Sequence, residues 1–143
     1  MSDEVFVAWD DRYSVGIPAI DRQHQELLIL TNELYNACQH GDVAAREHFR
    51  GVIHKAVEYV KFHFSAEEQI MEKIKFPRIA EHKREHESFV RQVLENVGEF
   101  ESGRQFVPNS FVRFLKDWIL THIAMSDQKY HAYIIELKQH AAL

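Results

Sequence analysis

The sequence predicts an all-α protein, an up-down-up-down four-helix bundle with an N-terminal arm and a short C-terminal helical segment. Three observations lead there. Apolar residues recur at i, i+3, i+4 and i+7 through several long segments, the pattern of helices that each bury one face. No stretch alternates apolar and polar residues as a half-buried strand does, and no internal repeat or low-complexity tract is present. Pro77 breaks the longest helical run, and a short link makes the two flanking helices antiparallel neighbours.

Residues 1–19 read as an irregular arm whose Trp9 and Tyr13 pack on the body in a structural role. The first helix is expected from about Ile20, with Asp21 as N-cap and Gly41 as the stop. His24 leads its apolar face, ahead of Leu27, Leu28, Thr31, Leu34 and Cys38, and so points inward. The second helix runs from about Val43 to Ile74 behind an Asp42 cap, with a stripe of Val52, Ala56, Val60, His63, Phe64, Glu67 and Met71. Arg78 to Phe100 forms the third, with Ile79, His82, His86, Phe89, Val93 and Val97 on one face. Its Glu81, Lys83, Arg84 and Glu85 are assigned to solvent. Glu99 to Pro108 reads as a loop. The last helix opens near Asn109 or Ser110 and carries Phe111, Phe114, Leu115, Trp118 and Ile119 up to His122. Met125 to Asp127 is expected to interrupt it before a final segment around Tyr130, Tyr133, Ile134 and Leu137.

The composition bounds the function. The 143 residues are 45% hydrophobic and 27% charged, a single globular domain able to bury a core. A net charge of -5, with no basic stripe, argues against nucleic acid. The lone Cys38 forbids an internal disulfide, and no run reaches 18 apolar residues, so neither a membrane span nor a secretory signal is expected and the cytoplasm is the default compartment. No Ser-His-Asp or Cys-His arrangement points to hydrolysis. Ten histidines are the unusual feature.

Their spacing carries the chemistry. His63 and Glu67 stand four apart before Pro77, and His82 and His86 stand four apart after it, so each pair aims two donors from one helix face. A lone His24 is more often a hydrogen-bonded core histidine than a ligand, and a single such pair is ambiguous. Together with His122 and Asp127 they make five imidazoles and two carboxylates on four helices. One metal cannot use seven donors. Two octahedral metals can, if the carboxylates bridge, and one coordination position then stays open. A thiolate-free imidazole and carboxylate set with an open position suits iron better than structural zinc. It is richer in histidine than the carboxylate-based di-metal bundles, which leaves less anionic charge to stabilise high-valent iron. Glu68, five residues from His63 and about 140° around the helix, is assigned to solvent. His40, His48, His54 and His140 read as surface residues. His131 and Tyr130 lie near the cluster, and packing is the simpler role for each.

The runs WDDRYSVGIPAIDRQHQELL, HFSAEE, HKREH and HIAMSDQKY resemble the signatures of the hemerythrin family, from Trp9 to about Tyr133. The single-domain form is most like the bacteriohemerythrins. The resemblance implies two non-heme iron ions with an oxo or hydroxo bridge. His82, His86 and His122 would hold the coordinatively filled iron, His24 and His63 the other, with Glu67 and Asp127 as bridges. It implies reversible O2 binding at the open position for storage, transport or delivery, with no enzymatic turnover. Release must return the iron reduced, so the pocket must be apolar and free of acids. Leu27, Trp118, Ile119 and Ile123 are placed there. The implied partners are O2, an oxygen-consuming enzyme and a reductase, and the chain is read as a monomer. A di-iron peroxidase, ferroxidase or nitric-oxide-handling enzyme is the alternative, followed by an O2 or redox sensor, for which the sequence offers no output domain.

Overall fold

The computed structural model describes residues 5–38, 43–103 and 108–141. The expected stop at Gly41, the Asp42 cap and His40 lie outside them. The described residues form α1 (Pro18–Ala37), α2 (Val43–Lys73), α3 (Ile79–Ser102) and α4 (Pro108–Thr121). A π-helical turn, His122–Asp127, then leads without a break into α5 (Gln128–Ala141). The bundle is all-α, and no strand occurs among the described residues. None of the helices there is long and apolar enough to cross a membrane.

The arm is tied down by polar contacts as well as aromatics. Asn32 on α1 accepts from the Phe6 and Val7 amides at 2.8 and 2.9 Å and donates to the Val7 carbonyl at 2.7 Å. Asp21 is not the N-cap. Helix α1 starts at Pro18, which suits the first turn because its missing N–H would have no partner there. The Asp21 carboxylate instead accepts from Ser14 Oγ at 2.6 Å and the Val15 amide at 2.9 Å, fastening the arm.

Between α2 and α3, Lys75 takes a left-handed conformation (φ 56°) that ends the helix, and the Phe76 amide bonds back to the Met71 carbonyl. Phe76 is buried, and Pro77 follows where an amide donor is no longer needed. Helix α3 runs two residues past the expected Phe100 and stops at Gly103, whose φ of 75° costs glycine nothing. Helix α4 begins at Pro108, just before the expected Asn109.

Two apolar clusters form the core. The larger joins Leu27, Leu34, Ile53, Phe64, Phe89, Val93, Val112 and Ile119, among others; the smaller joins Val15, Ile20, Met71, Phe76 and Tyr130. His24 lies between Ile20 of the smaller cluster and Leu27 of the larger, Glu67 between Phe64 and Met71, and Asp127 between Ile123 and Tyr130. The bundle thus holds a polar layer between two apolar ones.

Candidate metal centre

The structure brings all seven expected donors into that layer. His24, His63, Glu67, His82, His86, His122 and Asp127 are each at least 94% buried, and His24, Glu67 and Asp127 are fully so. Among the described residues the donor atoms form two groups, each with all its atoms within 4.8 Å of one another: Glu67, His82, His86, His122 and Asp127 in one, His24, His63 and Glu67 in the other.

The first group is drawn from α2, α3 and the π turn. The Nε2 atom of His122 lies 3.1 Å from Nε2 of both His82 and His86. Asp127 Oδ1 lies 3.0 Å from His82 Nε2 and 3.2 Å from His122 Nε2. A proton can sit between one pair of facing ring nitrogens, whereas a cation satisfies all three. The spacing also matches. Adjacent donors at right angles around a six-coordinate metal, with bonds of about 2.1 Å, stand about 3.0 Å apart.

The second group shares Glu67 with the first, and Asp127 of the first group reaches across to it. Asp127 Oδ2 lies 3.1 Å from His24 Nε2, while Oδ1 faces the other group. Glu67 Oε1 lies 3.0 Å from His63 Nε2 and 3.6 Å from His86 Nε2, and Oε2 is 3.7 Å from His24 Nε2. Both nitrogens of His24, both oxygens of Asp127, Glu67 Oε1 and Glu85 Oε2 are buried without a hydrogen-bond partner. Buried polar atoms are rarely left so, because an unmet donor or acceptor costs about 1–3 kcal/mol. A pair of cations would meet every one of these atoms except His24 Nδ1 and Glu85 Oε2, which lie outside the donor groups, so the residues fit a two-metal site.

The π turn makes this possible. His122 and Asp127 are five residues apart, which in an α-helix leaves them about 140° around the axis from each other. Hydrogen bonds of the i→i+5 type widen the turn and bring the two side chains onto one side. The expected interruption at Met125 to Asp127 is this widened turn, not a break.

A further ring of residues holds the imidazoles, and sequence reasoning missed it. His63 Nδ1 donates to Gln23 Oε1 at 2.7 Å, and His86 Nδ1 donates to Glu68 Oε2 at 2.9 Å, which turns each Nε2 toward the centre. Glu85 Oε2 lies 3.1 Å from His122 Nδ1. Glu68 and Glu85, both assigned to solvent from their helix positions, are therefore only partly exposed. They do leave the ligand face of their own helices, but a neighbouring helix fills the space beside them. Glu68 borders a solvent-open groove of about 590 Å³ between α2 and α3, with Phe64, Val90 and Leu94 along it.

Rings close the remaining sides. Phe64 stacks on His86 at 3.7 Å with planes 2° apart, and Trp118 stacks on His122 at 4.4 Å and 12°. Leu27 and Ile119 line a narrow apolar cavity of about 20 Å³ that runs away from the cluster between Leu34, Ile53, Val93 and Leu115. That is room for about one water-sized molecule. None of the seven donors lines this cavity; of the other residues expected at an O2 pocket, Trp118 covers His122 and Ile123 is buried in the main cluster. The Tyr130 hydroxyl donates to Glu67 Oε2 at 2.6 Å. His131 packs against Gly16, whose missing Cβ would fall 2.7 Å from the ring, so its role is packing. His48, His54 and His140 are exposed.

Proton affinities show what the metal-free layer does with its charges. Burial opposes a charge on His24, but Asp127 and Glu67 outweigh it and raise its pKa to about 9. Burial and the Asp127 charge push Glu67 up, yet His63 and His24 bring it down to about 2. Asp127 is held well below the usual carboxylate range, against its burial, chiefly by His122. Burial, reinforced by His122 and His82, depresses His86 to about 3. Burial and the Glu67 and Asp127 charges raise Tyr130 well above 10, so the phenol keeps its proton. Two anions thus stand among imidazoles, of which the clearest cation, His24, occupies a metal-facing position.

Comparison with known proteins places this arrangement. The family model described as the hemerythrin HHE cation binding domain matches residues 15–134. A bacteriohemerythrin of Stenotrophomonas maltophilia is 34% identical over 134 residues, covering 94% of this chain and 83% of the relative. A hemerythrin-like protein of Naegleria gruberi is 30% identical over 85% of this chain and 88% of its own. The crystal structure of a wild-type hemerythrin superposes with a TM-score of 0.83 at 26% identity, covering 89% of this chain and 96% of the other.

Proposed function

The chain belongs to the hemerythrin family, and from that premise we propose that it binds O2 reversibly at a di-iron centre held by His24, His63, Glu67, His82, His86, His122 and Asp127. The observation that carries this reading is the inequality of the two donor groups. His82, His86 and His122 meet one position together with both carboxylates, whereas His24 and His63 supply two imidazoles to the other. The second position is one imidazole short, and so is the one with a coordination position to spare for an incoming molecule.

When bound, the two irons supply the electrons that O2 needs in order to be held. The chain's residues do the rest. His63 and His86 are locked in one tautomer by Gln23 and Glu68, so their Nε2 atoms are ready to ligate without rearrangement. Asp127 and Glu67 each reach toward both groups and tie the two positions into one unit. Leu27 and Ile119 keep the inner face dry, which hinders protons and water from displacing the ligand and stranding the iron oxidised. Tyr130 is the nearest phenol, but its proton is committed to Glu67 and its raised pKa keeps it there. Tyr130 is therefore not a ready acid to turn O2 over, which suits a carrier.

The test is reduction without air, admission of O2, and repeated removal under argon while the charge-transfer absorption is followed. A carrier recovers its spectrum over many cycles. Oxidation that is complete after one cycle, or O2 consumption that depends on an added substrate, sinks the carrier reading and supports a di-iron enzyme.

A further inference from the structure

The outer contacts of the imidazoles differ between the two donor groups. In the three-histidine group, His86 Nδ1 donates to Glu68 at 2.9 Å, and Glu85 Oε2 stands 3.1 Å from His122 Nδ1 without hydrogen-bond geometry, so that it acts on that ring through its charge alone. In the two-histidine group the partner of His63 is the neutral Gln23, and His24 Nδ1 is buried with no hydrogen-bond partner. Two carboxylates thus back one position and none backs the other. This follows neither from the donor list nor from the bridging carboxylates, which serve both groups.

A carboxylate accepting the outer N–H of an imidazole makes the inner nitrogen a better donor. Its negative charge also favours the more highly charged state of a metal behind the ring. A neutral amide does the first weakly and the second not at all. We propose that Glu68 and Glu85 are positioning residues that bias the ferric charge onto the three-histidine position, and that Gln23 keeps the two-histidine position electron-poor. The inference rests on the di-iron reading above. The step it concerns is a single electron passing from a one-electron donor to a ferric ion, which becomes ferrous; no bond forms or breaks. The bias orders the two reductions of the centre and leaves the position reached by His24 and His63 as the easier one to reduce.

The experiment is a redox titration of the iron-loaded full chain with one-electron mediator dyes, read by the electron paramagnetic resonance of the mixed-valent state. Glu68→Gln and Glu85→Gln preserve shape and remove charge. Each is expected to favour reduction of the three-histidine iron about tenfold, a rise of about 59 mV in that step. Gln23→Glu adds the missing charge and is expected to move the other step by a similar factor in the opposite direction. Iron content and melting temperature, measured on the same samples, separate loss of structure from change of potential. If either glutamate variant sheds its iron, Gln23→Glu still decides through the sign of its shift. Two reduction steps that none of the three substitutions moves, or a Gln23→Glu shift toward easier reduction, overturn the bias and leave the di-iron reading intact. A wild-type chain that retains no iron overturns that reading and this inference with it.

Discussion

The large apolar layer and the polar layer beside it are built from the same helices under opposite rules. In the apolar layer Leu34, Ile53, Phe89 and Val112 are almost completely buried, and each gains from leaving water whatever is bound elsewhere. In the polar layer, further along the same helices, His24, Glu67 and Asp127 are buried just as fully, and their burial costs free energy that mutual attraction offsets only in part. Comparing them shows why the fold tolerates a metal site. The apolar layer is what can hold a set of unsatisfied donors in place where cations could meet them. The polar layer supplies selectivity, because only a group able to bridge those donors removes the cost.

Glu67→Ala breaks this division most severely. It removes an oxygen from both donor groups and the acceptor of Tyr130, so iron per chain is expected to fall below half of the wild-type value by elemental analysis, with the melting temperature of the loaded protein falling too. Retention of two irons would dismiss Glu67 as a bridge.

Leu34→Ala tests the other layer. Truncating a fully buried leucine should cost about 2–5 kcal/mol in urea denaturation while iron content stays at the wild-type level. Simultaneous loss of iron would mean that the layers are not separable.

The pH dependence of stability sharpens the contrast further. His24 has a folded pKa of about 9, above its ordinary value of 6.5, so its contribution is full below pH 6.5 and disappears as pH rises through 9. Glu67, lowered to about 2, contributes above its ordinary 4.5 and loses that only as pH falls through 2. The metal-free protein should therefore melt at lower temperature as pH is raised from 7 to 10. The iron-loaded protein, in which a cation takes the proton's place, should change less. Parallel pH profiles from calorimetry would count against metal binding at His24.

Smallest in its effect on the iron itself is Ile119→Ala, which widens the apolar cavity that Ile119 lines and costs the fold about as much as Leu34→Ala. Autoxidation in air should quicken several-fold while iron content is unchanged. An unaltered rate removes Ile119 from the route by which water reaches the centre.

Much of this was legible one residue at a time. Four-residue spacing was enough to pair His63 with Glu67 and His82 with His86, because i and i+4 share a face on any α-helix. Pro77 was enough to set α2 against α3. His54, nine residues before His63 and half a turn away, is exposed as that count requires. The same counting misplaced Glu68 and Glu85. Both do leave the ligand face of their own helix, yet α3 and the π turn bring His86 and His122 within 3.1 Å of them. Asp21 failed for a related reason: it has the chemistry of a cap, but the arm folds back and takes its carboxylate for Ser14 and Val15.

By itself, then, the sequence determined which residues turn inward, how many helices there are, and which donors meet on each helix, since all of these follow from the fixed period of an α-helix. The tertiary structure alone decided the π turn that aligns His122 with Asp127, the cavity beside Leu27 and Ile119, and the unequal backing of the two donor groups by Glu68, Glu85 and Gln23. Those depend on how far apart neighbouring helices lie and how each is rotated against the next. Helix period carries no information about either quantity; side-chain packing across the whole bundle sets both.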